Sequence, residues 1–161
     1  MFLYRVSVGT STIAGKGLFA DEPIAKGAVI ALISGPLVIL TEEEYDKRSA
    51  AGNSRIVRSG ERLYGNYFYY SEEDEEDPSS FINHSTDPNC LRFAGFCFAL
   101  KDIQTGEEIT ADYTLLLSKK DVELLHMPPG LINVPDSPYK IVEESLKILA
   151  KTLRKDKVSR G

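Results

Sequence analysis

The chain has 161 residues, 42% of them hydrophobic and 27% charged, which is one ordinary domain with enough apolar sequence for a core that needs no covalent staples. Its net charge of −5 excludes a grip on a phosphate backbone as the main task and favours a basic partner such as a lysine-rich peptide. Two cysteines, Cys90 and Cys97, and two histidines exclude a disulfide framework and a four-cysteine zinc site, so no metal site is expected.

Phe2, Tyr4, Val6 and Val8 alternate along the first residues and predict a half-buried strand. A turn-rich stretch, 9–17, follows it. Val29 to Ile33 and Leu37 to Leu40 read as two short strands around Ser34-Gly35-Pro36. Thr41-Glu42-Glu43-Glu44 has the form of a capping box, in which Thr41 accepts from first-turn amides while Glu44 reaches back. The helix it opens is expected to end near Gly52. Arg55 to Arg58 and Leu63 to Tyr70 read as strands divided by Ser59-Gly60, Phe96 to Leu100 as another, and Glu108 to Ala111 as a last short one.

Ser137-Pro138 starts a second helix, expected over 138–155, with Ser137 as N-cap and proline in the first turn. Its apolar stripe of Val142, Leu146, Leu149 and Leu153, with Ile141 and Ile148, must pack on the rest of the domain or on a second copy, so monomer and homodimer both stay open. The opposite face carries Lys147, Lys151, Arg154 and Lys155, a solvated face whose cations suit the helix C-terminus. No basic leader followed by a long apolar run is seen, and no stretch is long enough to span a bilayer, so a cytoplasmic or other internal location with free thiols is expected. Many short strands and few helices predict a mainly β domain with helical additions.

The chemistry concentrates in two segments, Phe81-Ile82-Asn83-His84-Ser85-Thr86-Asp87-Pro88-Asn89-Cys90 and Gly106-Glu107-Glu108-Ile109-Thr110-Ala111-Asp112-Tyr113. On residue type alone, the first is a polar loop closed by the Asp87-Pro88-Asn89 turn, and Tyr113 is one more buried aromatic. Together they closely resemble the core of a SET domain, the fold of most protein lysine methyltransferases. The resemblance runs from about Ile13 to Tyr113. It implies short strands with a C-terminal pseudoknot over residues 1–116, an extension over 117–161, and S-adenosylmethionine as cofactor. Methyl transfer to a lysine of a basic protein, such as a histone or histone-like protein, is the implied reaction, with a nuclear or chromatin location in a eukaryote.

The resemblance also assigns roles. Gly15-Lys16-Gly17-Leu18 becomes the Gly-X-Gly turn that approaches the methionine part of the cofactor; by itself it reads only as a turn that needs positive φ. Asn83 and His84 become cofactor ligands, since an amide and an imidazole match the donors and acceptors of adenine. Tyr113 becomes the catalytic residue beside the sulfonium and the lysine nitrogen. Ala111, small where many members have an aromatic, leaves room for more than one methyl group. The insert over about 41–70 varies most among members, and Tyr64, Tyr67 or Tyr69 within it lines the lysine channel or fills the core.

Departures are visible. Ser80 stands where arginine commonly precedes Phe-Ile-Asn-His, Thr86 replaces a frequent cysteine, and Thr114 a frequent glycine. The flanking zinc-binding cysteine clusters of many histone-directed members are absent. The acidic run 72–77 is either a solvated loop or an attractor for basic substrate. A non-catalytic SET-like binding module is the alternative; joint retention of Gly15, Gly17, Asn83, His84 and Tyr113 speaks against it. A nucleic-acid-binding domain is disfavoured by the acidic balance.

Overall fold

The computed structural model describes residues 1–32, 37–50, 61–63, 67–71, 78–117, 119–124, 132–134 and 137–154. Its main sheet contains β1 (Val6–Thr10), β2 (Lys16–Ala20), β3 (Val29–Leu32), β7 (Asn83–His84), β8 (Cys90–Phe93), β9 (Phe96–Ala99) and β10 (Glu108–Ala111), in the order β1-β2-β10-β8-β9-β3 with β7 also on β10. A smaller sheet has the order β4-β6-β5, from β4 (Leu37–Leu40), β5 (Glu61–Leu63) and β6 (Tyr67–Ser71).

The placement of β10 organises the molecule. It runs antiparallel to β2, with Ile109 opposite Leu18, and parallel to β7 and β8, with Ala111 opposite both His84 and Cys90. Its side chains are buried because strands or their packing cover it on all sides: Ile109, Thr110 and Ala111 all lie inside. With Leu18, Ala20, Ile24, Ile30, Ile82, Cys90, Cys97, Ala99 and Ile103 they build the centre of the domain. The architecture is the mainly β one expected from the chain.

Several boundaries differ from the expectation. β1 starts at Val6, because the residues before it turn to β3, where Phe2 bridges Ala31 and the Leu3 amide donates to the Ile30 carbonyl (2.8 Å). The stretch expected as one turn-rich segment, 9–17, is narrower, with β1 running to Thr10 and β2 starting at Lys16. The strand expected over Leu63 to Tyr70 is divided between β5 and β6, with 64–66 outside the described residues. The expected strand over Arg55 to Arg58, the turn at 34–36 and the acidic run 72–77 also lie outside them.

Helix α1 (Glu42–Ala50) begins with the capping box read from the chain. The Thr41 amide donates to Glu44 Oε2 (2.9 Å), and the Glu44 amide donates to Thr41 Oγ1 (3.3 Å). A short helix, α2 (Lys119–Leu124), was not expected; it is joined to α1 by the Tyr45 hydroxyl, which donates to Asp121 Oδ1 at 2.5 Å between two buried side chains.

Helix α3 (Pro138–Leu153) ends two residues before the expected limit, with Arg154 as C-cap. Ser137 makes no side-chain cap bond; the proline at the start and the extended backbone of Ser137 set the boundary instead. The expected stripe is corrected. Ile141 and Ser145 face inward, whereas Leu146 and Leu153 are 44% and 51% exposed. The helix rests on β8 and on the turn that follows β10, and Ser145 is wholly buried. The Ser145 hydroxyl is fully buried without a hydrogen-bond partner among the described residues. Ser145→Ala should therefore raise stability by about 1 kcal/mol, seen as a higher urea midpoint. A lowered midpoint would mean that the hydroxyl is bonded in solution.

Candidate active site

The two motif segments meet through β7 and β10. A 3₁₀ turn, Pro78–Phe81, delivers the buried Ile82 to the start of β7. After β10, Asp112 caps a second 3₁₀ turn, Tyr113–Leu115, by accepting from the Thr114 amide at 2.9 Å. That cap bends the chain so that Tyr113 returns to β7. Its hydroxyl donates to the Ile82 carbonyl (2.7 Å), its amide donates to His84 Nδ1 (3.2 Å), and the two rings lie 5.4 Å apart at 46°. Because Nδ1 accepts, the proton of the neutral imidazole sits on Nε2 as a donor.

Burial raises the Tyr113 phenol above its ordinary value; the nearby charge of Arg92 lowers it in part, and Cys90 adds to the rise. A phenol that ionises later in the folded protein holds its proton throughout the neutral range. The sign follows: this group's stabilising effect is complete below its unfolded value near 10 and is lost as pH rises through the higher folded value. Spectrophotometric titration should show at least one tyrosine, absent from Tyr113→Phe, that ionises only above that range. A phenolate at Tyr113 near neutral pH would contradict the assignment.

The remaining expected residues fall in distinct places. Asn83 directs its amide nitrogen at the β1–β2 loop, within 3.0 Å of the Lys16 carbonyl and 3.3 Å of the Ala14 carbonyl, and within 2.7 Å of Glu108 Oε1. Gly15 has φ +51°, and the position of a side chain there is open, with nothing within 4 Å. At Gly17 an added methyl would come within 2.7 Å of Glu108 Cδ, so a larger residue would have to displace the Glu108 carboxylate. The Lys16 ammonium lies 5.5 Å from the centre of the Phe81 ring. Leu18 is wholly buried in β2 and belongs to the core, as does Ala111, which is in register with His84. Tyr67 and Tyr69 lie in β6, where Tyr69 is opposite Ile39; Tyr64 is outside the described residues.

Sequence reasoning missed the residue that clamps the two segments. Asn89 is buried, and its amide nitrogen donates to Glu107 Oε1 (3.0 Å) and the Glu108 carbonyl (2.8 Å) while its oxygen accepts from the Thr110 amide (2.8 Å). The signal was present as a polar side chain between Pro88 and an apolar strand, but it reads as a turn residue. Arg92, buried in β8 near Tyr113, was missed because β8 has no alternation to betray it.

The SET domain model matches residues 15–114. The chain belongs to the SET-domain family. The SET core is similar to the histone-lysine N-methyltransferase SUV39H1 of Xenopus laevis, 29% identical over 91% of this chain and 38% of the relative. It is also similar to the histone-lysine N-methyltransferase, H3 lysine-4 specific, of Eremothecium gossypii, at 31% identity over 81% of this chain and 14% of the relative. The chain thus spans well under two thirds of the length of these relatives. Among solved structures, the Neurospora SET domain protein DIM-5, a histone lysine methyltransferase, aligns over 73% of this chain and 55% of that chain, with TM-score 0.56 and 25% identity. No helix among the described residues of this SET protein is long and apolar enough to cross a membrane.

Proposed function

We propose that this SET-domain protein is an S-adenosylmethionine-dependent protein-lysine N-methyltransferase acting on a basic protein. The observation that carries the reading is the junction of Tyr113 with Ile82 and His84, which joins the two family motifs at one place. The names of the relatives point to histones or similar proteins, hence to nuclear or chromatin substrates, and the charge of −5 suits a basic partner.

The residues present fit the cofactor. The open space at Gly15 admits a ligand against the backbone, and the Nε2–H of His84 is a donor suited to an adenine ring nitrogen. Gly15, Lys16 and Gly17 would flank the methionine part, while the buried Leu18 anchors the strand that follows them; Asn83 holds that loop in place, and Tyr113 closes the site. When bound, S-adenosylmethionine supplies a methyl carbon that takes the lysine lone pair while its bond to sulfur breaks.

Presenting a neutral lysine amine at pH 7 costs about 4 kcal/mol. Burial and an adjacent positive charge both lower that cost. The raised phenol makes Tyr113 an orienting group and not a proton acceptor. Its own proton is given to Ile82, so its oxygen is left to accept an N–H of the amine and aim the lone pair. The small side chain of Ala111, two residues before Tyr113, is the ground for expecting transfer of more than one methyl group.

Incubation with labelled S-adenosylmethionine and a panel of lysine-rich proteins, read by mass spectrometry, tests the reading. Label on lysine, with di- or trimethyl product, is expected. Cofactor binding without transfer to any protein would favour a binding module, and exclusively monomethyl product would remove the role given to Ala111.

A further inference from the structure

Ser11 lies outside the matched SET segment and has no motif of its own, yet it sits at the centre of the loop that joins β1 to β2. Its amide donates to the Gly15 carbonyl (3.0 Å), which closes the loop. Its Oγ accepts from the amides of Ile13 (2.9 Å) and Ala14 (3.3 Å), and Asn83 Nδ2 approaches the same atom at 3.1 Å. The hydroxyl proton points to the Glu108 carboxylate, whose two oxygens lie at 2.8 and 2.9 Å. One hydroxyl therefore ties the loop to β7 and β10 together.

Glu108 has the complementary position. Its carboxylate receives Ser11 and Asn83 and lies directly against Gly17. A partly buried carboxylate must be met by donors, and among the described residues these are the two it has. The consequence for the loop is geometric. The carbonyls of Ala14 and Lys16 turn inward to Asn83. Since a trans peptide points its C=O and the next N–H in opposite directions, the Gly15 N–H turns away from Asn83, and a side chain at Gly15 would meet nothing within 4 Å.

We infer that Ser11 and Glu108 are positioning residues, which hold the loop 11–17 in its cofactor-receiving shape by fixing Asn83 and the Gly15 peptide. The inference rests on the proposal that this loop takes S-adenosylmethionine. Neither residue need touch the reacting atoms, so affinity should suffer and turnover at saturation should not.

The test is calorimetric titration of the full chain with S-adenosylmethionine, beside turnover at saturating cofactor, for wild type, Ser11→Ala, Ser11→Thr and Glu108→Gln. Loss of a hydrogen bond to a charged group predicts a Kd raised about tenfold in Ser11→Ala. Ser11→Thr, which keeps Oγ, should bind nearly as wild type. Glu108→Gln keeps the shape but not the charge and should be several-fold weaker. Turnover at saturation should stay within about twofold of wild type throughout. Unchanged affinity in both Ser11→Ala and Glu108→Gln would overturn the inference, as would equal losses in Ser11→Ala and Ser11→Thr. Should Ser11→Ala fail to fold, the isosteric Glu108→Gln decides alone: weaker binding supports the inference and wild-type binding overturns it. A wild-type protein that does not bind the cofactor would instead remove the function on which the inference rests.

Discussion

Tyr113→Phe should bind S-adenosylmethionine almost as wild type does and turn over about a hundredfold more slowly. Phenylalanine keeps the ring against His84, and the backbone amide that donates to His84 Nδ1 is untouched, so the cofactor side of the site survives. What disappears is one oxygen. In the native protein that oxygen is held by donating to the Ile82 carbonyl, which leaves its lone pairs in a fixed direction to receive the amine. A fixed acceptor of this kind acts by alignment, an effect worth several kcal/mol when the reacting atoms are correctly aimed. The mutation also leaves the Ile82 carbonyl without this donor, a stability loss of about 1 kcal/mol that a denaturation curve will separate from the kinetic effect. Equal turnover in the two proteins would take Tyr113 out of the chemistry.

The largest loss of stability is expected at Asn89, a residue that touches no reacting group. Asn89→Ala strips the Thr110 amide of its acceptor and the Glu108 carbonyl of a donor, all inside the protein. Each buried group left unmatched costs about 1–3 kcal/mol, so the pair predicts about 2–6 kcal/mol. Urea denaturation should show the midpoint falling with little change in slope. Asn89→Asp should be comparably harmful, because it replaces the donor to Glu107 and to the Glu108 carbonyl with a second acceptor. A loss under about 1 kcal/mol in both variants would mean that β8 and β10 are held together by apolar packing alone.

The difference between Tyr113 and Asn89 also explains which parts of the protein were legible in the chain. Local chemistry was readable where one segment decides it. Thr41 and Glu44 form their capping box because both partners lie within one turn, and Pro138 marks the start of α3 for the same reason. β10 was readable from its apolar pattern, but not the fact that it lies in parallel beside β7 and β8; pairing between distant segments leaves no trace in either alone. β7 was hidden because two polar residues make a poor strand until Thr110 and Ala111 supply its partner. The buried face of α3 was misjudged because hydrophobicity favours Leu146 and Leu153, whereas the face turned inward carries Ile141 and the small, polar Ser145. Tyr113, Asn83 and His84 were picked out by motif. Ser11 was not, and Glu108 and Asn89 stood inside the motifs without a role, since a polar residue in a loop or at a strand end looks alike whether it faces water or a buried partner.

The meeting of cofactor and lysine at Tyr113 is tested most directly by a crystal structure of the protein with S-adenosylhomocysteine and a lysine-containing peptide. The expected result has the sulfur and the lysine nitrogen converging beside the Tyr113 hydroxyl, with the ligand's amino-acid end against Gly15–Gly17 and its adenine at His84. Clear density for the ligand at another surface, or a lysine amine directed away from Tyr113, would contradict it.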